Sequence, residues 1–319
     1  MNGEFSHWQP PKLSYNPRTT MKRKDLVRRY RIANDKKFRL KDIDPADTWK
    51  LKSSDHAQQW LEEGVIRLRQ LQDLLYAQNQ WAVLIILQAM DAAGKDGIIK
   101  HVMSGVNPQG CQVYPFKAPS QQELSHDFLW RTTNCLPERG HIGIFNRSYY
   151  EEVLVVRVHP DLLAHEKLPL PLVTSELWNE RFQDINSFER HLDHSGVVIL
   201  KFFLHLSKKE QRQRLLARLE QTDKNWKISM ADVQERHYWD DYADAYEDMI
   251  RHTATEQAPW YVVPANNKWF TRLVVAEVVV DALESLNLKY PELNSAQRKG
   301  LAVIRKTLLR NRPRNATAD

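Results

Sequence analysis

Short apolar segments alternate with longer amphipathic segments along most of the chain. Five runs are apolar at successive positions, which is typical of buried strands. They cover residues 81–87, 111–116, 141–145, 197–206 and 260–263. Segments of helical periodicity separate them, and the longest are residues 54–79, 172–193 and 229–252. Strands that are apolar on both faces and alternate with helices predict a parallel sheet covered by helices, and therefore an α/β fold in one continuous domain.

The positive charge of the chain lies at its two ends. The whole chain carries a net charge of +6, whereas residues 17–41 carry +9 and residues 291–319 carry +5, so the remainder is net negative. The two segments are either solvated tails or surfaces that help to hold a polyanion, because clustered Lys and Arg attract multivalent anions. We expect a basic extension over residues 1–54, a main domain over residues 55–290 and a basic tail over residues 291–319.

Composition indicates the class of protein and the compartment in which we expect it. The chain is 42% hydrophobic and 27% charged, which is typical of a globular protein and not of a disordered or fibrous one. The longest wholly apolar run, Trp81 to Leu87, has seven residues, and the N-terminus lacks the apolar core of a signal peptide. Cys111 and Cys135 are too few for a disulfide framework. We therefore expect no membrane span, no secretion and a reducing cytoplasm.

The loop after the first predicted strand carries the strongest chemical signal. Residues 89–97 read AMDAAGKDG, follow a strand and precede a helical segment, which is the context of a phosphate-binding loop. The backbone N–H groups of Ala92, Ala93 and Gly94 would surround phosphate oxygens at the start of the helix. Lys95 would supply a positive charge to the same oxygens.

Two positions depart from the usual GxxxxGK[ST] pattern. Ala89 replaces the first glycine, and Asp96 replaces the Ser or Thr that would bind magnesium. The sequence AAGK could therefore follow a strand by chance. Asp91 favours the functional interpretation, because a carboxylate beside bound phosphates is repulsive unless a cation lies between them. Asp91 is thus a candidate Mg²⁺ ligand, although it could simply cap the turn.

Two further groups of polar residues follow predicted strands. Residues 146–152, NRSYYEE, lie at the carboxyl end of a strand, where α/β folds bind their ligands. Arg147 in this group could hold a phosphate through two hydrogen bonds. Arg214 and Arg218 lie four residues apart on the helix that the SKKE capping box at Ser207 begins, so they share a face. Both could reach one anion, or they could form a solvated basic face.

Several strings, in order along the chain, resemble the polyphosphate kinase 2 family of polyphosphate:nucleotide phosphotransferases. The resemblance runs from about residue 31 to residue 286 and includes LQAMDAAGKDG, HDFLWR, LPERGHIGIFNRSYYEEVLVVRVHP and APWYVVPANNKWFTR. It implies a three-layer P-loop kinase-like fold with a central parallel five-stranded sheet and a helical lid at about residues 207–235. It also implies Mg²⁺ as cofactor, inorganic polyphosphate as donor, AMP and ADP as acceptors, and a homo-oligomer, either tetramer or dimer.

The resemblance carries over to individual positions of this chain. It implies catalytic roles for Asp91, Lys95, Arg147, Arg214 and Arg218. It implies contacts to phosphate or nucleotide for Ala92, Ala93, Gly94, Asp96, Arg131, Asn146, Glu151 and Lys268. The predicted metal ligands are Asp91 and Glu152.

One departure narrows the assignment within the family. Many members have Asp where this chain has Asn146, in a motif reading FDRSWYNR instead of FNRSYYEEV. The version with Asn and the pair Glu151 and Glu152 resembles the branch called class III, which phosphorylates nucleoside mono- and diphosphates. The pair would then hold Mg²⁺ directly or through water. Alternatively, the two carboxylates form an ordinary solvated helix start, where acidic residues complement the helix dipole.

Two other functions compete with phosphotransfer from polyphosphate. An ATP-dependent nucleotide kinase would share the loop and the lid arginines, and only the resemblance favours polyphosphate as donor. A non-enzymatic polyanion-binding protein would explain the basic ends, but it leaves Asp91 and Lys95 without a role. Phosphoryl transfer requires alignment and charge stabilisation more than covalent chemistry, and these residue types supply both. We expect no nucleic acid partner.

Overall fold

Six strands form one mostly parallel sheet at the centre of the protein. The computed structural model describes residues 17–51 and 54–310 of the chain. The strands are β1 (Arg31–Ile32), β2 (Ala82–Gln88), β3 (Cys111–Pro115), β4 (Ile142–Asn146), β5 (Val197–His205) and β6 (Trp260–Pro264). Their order across the sheet is β1-β6-β5-β2-β4-β3, and all neighbouring pairs except β1 with β6 are parallel.

The five predicted strands are confirmed, but the prediction of a five-stranded sheet is wrong by one edge strand. β1 pairs antiparallel with β6 through only two residues, with Arg31 opposite Tyr261 and Ile32 opposite Trp260. A strand of two residues is too short to produce a periodic pattern. It also lies within the basic segment 17–41, where charge hides any apolar alternation.

Helices cover both faces of the sheet, which confirms the three-layer α/β architecture. One face is covered by α1 (Pro17–Tyr30), α2 (Ser54–Gln78), α3 (Lys95–Val102) and α10 (Lys268–Ser285). The opposite face is covered by α5 (Glu151–Val158), α6 (Leu177–His194) and α9 (Trp239–Thr253). The remaining described helices are α4 (Trp130–Thr133), α7 (Lys208–Glu220), α8 (Met230–Glu235) and α11 (Ser295–Arg310).

The position of β2 determines where the polar loops meet. Every residue of β2 is buried, because β2 lies between β5 and β4 with helices on both faces. Leu87 of β2 pairs with Asn146 of β4, so the two strands end at the same edge of the sheet. The loops that follow them, residues 89–94 and 147–150, are consequently neighbours.

The two basic ends differ in structure within the described residues. In the N-terminal segment, Leu26 and Tyr30 of α1 are buried in the core, so this part is not a solvated tail. The C-terminal helix α11 is exposed along its length. Residues 1–16 and 311–319 lie outside the described residues, and the domain bounds stay a prediction. No described helix combines the length and the hydropathy that a bilayer span requires.

Candidate active site

The loop between β2 and α3 folds back on itself to direct its backbone toward one point. Ala92 and Gly94 have positive φ angles, 64° and 111°, and glycine is the residue that adopts such angles without strain. Lys95 begins α3 and its Nζ donates to the carbonyl oxygen of Ala89 at 2.9 Å. This hydrogen bond closes the loop across six residues. The predicted strand–loop–helix context of a phosphate site is therefore present.

Lys95 is half-buried and lies near Arg147 and near the carboxylates of Asp91, Glu151 and Asp96. Desolvation of its ammonium group, together with repulsion from Arg147, lowers the pKa of Lys95 to about 8. Attraction to Asp91 opposes this shift but does not cancel it. A lysine whose charge is destabilised in this way gains from any anion that enters the loop. The site is thus prepared electrostatically for phosphate.

Arg147 joins the two polar loops. Its φ angle of 68° turns the side chain back over the end of β2. One terminal nitrogen, Nη2, lies 2.7 Å from Oδ1 of Asp91, and the other, Nη1, lies 2.7 Å from Oε2 of Glu151. Gln88, the buried last residue of β2, donates to Oε1 of Glu151 at 2.9 Å. The carboxylate of Glu151, and then that of Asp91, raises the pKa of Arg147, so this guanidinium stays cationic.

Asp96 connects the phosphate loop to the polar segment 146–152, which we call the second motif, and to the predicted lid. Asn146 Nδ2 donates to Oδ1 of Asp96 at 3.0 Å, and Lys227 Nζ lies 3.5 Å from Oδ2. The side chain of Asp96 is 73% exposed. Asn146 and Asp96 therefore lie at the site and are hydrogen-bonded to each other, and their contacts to phosphate stay a prediction.

Arg214 lies at the site but not as an open lid arginine. It is buried, and its Nε donates to Oε1 of Glu210 at 2.8 Å. Its two terminal nitrogens donate to the carbonyl oxygens of Ala92 and Ala93 in the loop and of Ala265 and Asn266 after β6. All five N–H groups of the guanidinium thus have oxygen acceptors. Arg214 therefore clamps the loop to the segment after β6, and it also lines the cleft. Its catalytic role stays a prediction.

The loop opens into a large cationic cleft with a volume of about 760 Å³. Nine basic side chains line it, against Asp91, Asp96 and Asp232. The basic residues are Lys95, Lys117, Arg147, Arg214, Arg218, Lys224, Lys227, Lys268 and Arg272. Desolvation lowers the pKa of Lys268, and the neighbouring cations Arg214, Lys224 and Arg272 lower it further. The positive charges in the cleft therefore lie close to one another. A cleft of this composition concentrates polyanions.

A second cavity of about 530 Å³ meets the cationic cleft at Lys117 and Arg147. Its lining is largely apolar. The apolar residues are Phe116, Ala118, Pro119, Leu124, Val155, Val156 and Leu162. Arg131 lies here and not in the cationic cleft: its Nη2 donates to the carbonyl oxygen of Lys117 at 2.7 Å and its guanidinium lies 5.0 Å from the centre of the Phe116 ring.

The two predicted metal ligands do not lie in one cavity. Asp91 lines the cationic cleft, whereas Glu152 lines the apolar cavity beside Glu166. Burial raises the pKa of Glu152 to about 7, which is unfavourable for a metal ligand without further charge. Within the described ranges no cluster of three or more His, Cys, Asp or Glu side chains could hold a metal ion. The structure thus places the two predicted ligands in different cavities, and their metal binding stays a prediction.

Asp91 alone still fits a magnesium site of the kind found in phosphotransferases. Mg²⁺ keeps several waters and is commonly bound by one or two carboxylates together with substrate phosphates. Asp91 supplies a half-exposed carboxylate at the mouth of the phosphate loop. Arg147 contacts Oδ1, and Oδ2 accepts no hydrogen bond from the described residues. Asp91 would thus provide one carboxylate ligand, and the phosphates of the substrate and solvent waters would provide the others.

A buried polar network supports the second motif from behind. Lys201 in β5 contacts Oε2 of Glu189 at 2.6 Å, and it donates to the carbonyl oxygen of Thr253 at 2.7 Å. Tyr149 and Tyr150 each donate to Oε1 of the same glutamate at 2.8 Å. The network anchors the two residues that immediately precede Glu151. A lysine inside the apolar strand VVILKFFLH was the signal in the sequence that could have revealed it.

Comparison with known proteins identifies the family. The model of the family described as polyphosphate kinase 2 matches residues 50–291. The chain belongs to the polyphosphate kinase 2 family. It is 56% identical over 259 residues to an ADP-polyphosphate phosphotransferase of Rhodopseudomonas palustris, covering 81% of this chain and 90% of that one. It is 46% identical over 276 residues to an AMP/ADP-polyphosphate phosphotransferase of Meiothermus ruber, covering 86% and 98%.

The fold agrees with that of a solved member of the polyphosphate kinase 2 family. The crystal structure of Polyphosphate Kinase 2 from Arthrobacter aurescens matches with a TM-score of 0.79 at 40% identity, over 87% of this chain and 96% of that one. The P-loop kinase-like architecture expected from the resemblance is thus confirmed. The match to the family model ends at residue 291, so α11 lies beyond it.

Proposed function

We propose that this member of the polyphosphate kinase 2 family transfers the terminal phosphate of inorganic polyphosphate to AMP and ADP. The observation that carries the proposal is that a large cationic cleft and an apolar cavity meet at Arg147. A linear polyanion fits the first and a nucleoside fits the second, so the guanidinium lies where donor and acceptor phosphates would face each other. Two relatives with names of this activity cover most of the chain and support the same conclusion.

The donor would enter through the cationic cleft. Lys224, Lys227 and Lys268 line the cleft together with Arg218, and Lys95 lies at the phosphate loop. The terminal phosphate would lie against the loop amides and Lys95, while the preceding phosphates contact the outer lysines. An ATP donor carries only three phosphates, and it would leave much of this basic surface without anions. The extent of the cleft therefore favours polyphosphate over ATP as donor.

The acceptor nucleotide would place its base and ribose in the apolar cavity. Small-molecule sites typically combine apolar walls with polar groups that fix the orientation of the ligand, and this cavity has seven apolar residues beside charged ones such as Arg131 and Glu152. The acceptor's last phosphate would then reach Arg147, which lines both cavities. From there it would attack the donor phosphate in line. Positioning of this kind supplies a large part of the rate enhancement in phosphoryl transfer. Arg131 and Glu152 would contact the nucleoside and not the transferred phosphate.

The residues of the chain divide into positioning and charge-stabilising groups. Arg218 and Lys95 would neutralise charge that develops on the transferred phosphate. Arg214 would act indirectly, since its clamp fixes the shape of the loop. Mg²⁺ bound at Asp91 would offset the negative charge of the phosphates when it is present. The homo-oligomeric state, the preference for Mg²⁺ and the cytoplasmic location stay predictions.

The deciding experiment supplies the purified protein with Mg²⁺, long-chain polyphosphate and AMP, and in parallel with ADP. We expect ADP and ATP to form from AMP, and ATP from ADP, only when polyphosphate is present. A mixture of ATP and AMP without polyphosphate serves as control. Transfer from ATP to AMP with none from polyphosphate would identify an ordinary nucleotide kinase instead.

A second measurement separates catalysis from simple polyanion binding. Asp91→Asn should retain binding of polyphosphate within about threefold, because nine basic side chains remain in the cleft. The same variant should lose phosphotransfer by about a hundredfold or more if the carboxylate holds the metal. Unchanged phosphotransfer in Asp91→Asn would show that Asp91 has no part in the mechanism. No phosphotransfer by the wild-type protein would favour the polyanion-binding interpretation.

A further inference from the structure

The C-terminal helix α11 is not part of the phosphotransferase domain as the family defines it. It begins at Ser295, whereas the family match ends at residue 291. Of its 16 residues only Gly300 is partly covered, and all the others are exposed. A helix of this length is only marginally stable in water without a surface to pack on. The part of the domain that the structure describes does not supply that surface.

The side chains of α11 segregate into an apolar and a basic face. Leu301, Ile304 and Leu308 follow the spacing of three and four residues that places side chains on one side of a helix. They are 50%, 55% and 66% exposed, respectively. Val303 and Leu309 are also exposed but lie outside this stripe, with Val303 on the opposite side of the helix.

The basic face lies opposite and has no balancing charge. At 100° per residue, Lys299, Lys306 and Arg310 project from the side of the helix that faces away from Leu301, Ile304 and Leu308. Arg298 and Arg305 flank the apolar face, and α11 contains no Asp or Glu. The helix therefore presents five cations and one apolar face.

We propose that α11 binds the surface of a membrane rich in anionic lipid. A basic amphipathic helix with low overall hydropathy lies in the plane of the headgroups, with its apolar face at the acyl boundary and its cations on lipid phosphates. Tyr290 and Leu293, just before the helix, are 63% and 41% exposed and add apolar surface next to it in the sequence. A tyrosine in this place matches the preference of aromatic residues for the interface.

The charge pattern disfavours other occupants of this helix. Two copies of α11 packed through their apolar faces would bring Arg298 and Arg305 of each helix to the edge of the contact, and α11 has no carboxylate to neutralise them. Polyphosphate or a nucleic acid would satisfy the cations but would leave Leu301, Ile304 and Leu308 in water. An anionic lipid surface satisfies both faces at once.

Vesicle sedimentation with the full chain tests the proposal. The probes are vesicles of equal parts phosphatidylglycerol and phosphatidylcholine, and vesicles of phosphatidylcholine alone. We expect the protein to sediment with the anionic vesicles and to be released at about 0.5 M salt, where surface charges are screened. Binding that is equal to both kinds of vesicle, or absent from both, would overturn the proposal.

Two triple variants separate the contributions of the faces. Leu301→Ser, Ile304→Ser and Leu308→Ser together keep all five cations and should weaken vesicle binding at least about tenfold, because three buried apolar side chains are lost. In a separate protein, glutamine at Lys299, Lys306 and Arg310 should weaken binding at least about tenfold at low salt. Retention of full binding by either variant would contradict the proposal.

A matched control uses three apolar residues that are exposed elsewhere. Serine at Leu170, Leu172 and Val173, which are 87%, 55% and 43% exposed, should leave vesicle binding unchanged. Equal loss in this control would show that exposed apolar surface in general causes the effect, and would overturn the assignment to α11. Phosphotransfer in the absence of vesicles should be the same in all variants, which excludes misfolding as the cause.

Light scattering and polyphosphate sedimentation identify the competing occupants. A wild-type oligomer that the serine variant of α11 dissociates, without vesicle binding by either protein, would assign the helix to a second copy of the chain. Loss of polyphosphate binding in the glutamine variant, again without vesicle binding, would assign it to the donor. Either result would replace the membrane surface as the partner.

Discussion

Arg147 contacts Asp91 across the carboxyl edge of the sheet, with 2.7 Å between Nη2 and Oδ1. Asp91 follows β2 and Arg147 follows β4, so the contact depends on the parallel pairing of these strands. The second nitrogen of the same guanidinium contacts Glu151 at the same distance. A planar fork of donors can make both contacts at once, whereas a lysine ammonium offers a single point of charge.

Substitution Arg147→Lys should therefore reduce kcat/KM for AMP by about a hundredfold or more, as removal of a preorganised donor does in other active sites. The measurement is the initial rate of ADP formation from polyphosphate and AMP. The matched control is Arg157→Lys. Arg157 is similarly exposed and pairs with Asp248, but it lines neither of the two cavities. A loss of less than about threefold in Arg147→Lys would mean that charge alone suffices.

The parallel sheet and the phosphate loop were predictable because local patterns encode them. Continuous apolar runs mark buried strands, and the loop has a short, ordered set of residues between a strand and a helix. Two features were not predictable, namely the edge strand β1 and the acceptors of Arg214. Both depend on contacts between residues far apart in the sequence, such as Arg214 with Ala265. A pattern along one helix shows which face an arginine occupies but not what lies opposite.

The placement of Glu152 shows the same limit. Glu151 and Glu152 are adjacent, and the sequence treats both as carboxylates beside the phosphate loop. On a helix, adjacent residues point about 100° apart. Both residues line the apolar cavity, but only Glu151 pairs with Arg147, while Glu152 is buried and the pKa of its carboxyl rises to about 7. Two adjacent glutamates on one helix thus have different environments: Glu151 pairs with an arginine, and Glu152 is buried.

The clamp formed by Arg214 predicts a separation between stability and catalysis. Arg214→Lys should lower the free energy of unfolding by about 2 kcal/mol, because buried carbonyl oxygens lose their donors. Arg218→Lys, one turn further along α7, should change stability by less than about 0.5 kcal/mol but lower kcat by about tenfold or more. Urea denaturation and steady-state rates measure the two effects. Equal stability of the two variants would refute the clamp.

The low pKa of Lys95 predicts a specific pH dependence. Lys95 loses its proton as the pH rises through about 8 in the free enzyme, and the neutral amine no longer attracts phosphate. We expect kcat/KM for polyphosphate to fall about tenfold per pH unit above that value, since kcat/KM reports groups of the free enzyme. Bound phosphate stabilises the ammonium, so kcat should decline only at higher pH. Lys95→Arg should show lower activity but no decline near pH 8, because arginine stays protonated there. A decline that persists in Lys95→Arg would arise from another group.

Buried Glu277 predicts a pH dependence of stability far from the active site. Glu277 lies in α10, 3.2 Å from Arg23, and burial raises the pKa of its carboxyl to about 7. Because the folded state holds the proton more tightly than the unfolded chain, the stabilisation is complete below about pH 4.5 and is lost as the pH rises through 7. Relative to Glu277→Gln, the wild type should therefore lose about 3 kcal/mol of unfolding free energy between pH 4.5 and pH 8.

Urea denaturation across this pH range measures the difference between the two proteins. The control is Asp42→Asn, which alters an exposed carboxylate that pairs with Arg39 away from Glu277. Its stability should run parallel to that of the wild type, because an exposed ion pair contributes little. Parallel curves for Glu277→Gln and the wild type would instead mean that Arg23 keeps the carboxylate ionised in the folded protein. The basic N-terminal helix would then stabilise the domain through a buried ion pair and not through apolar contacts alone.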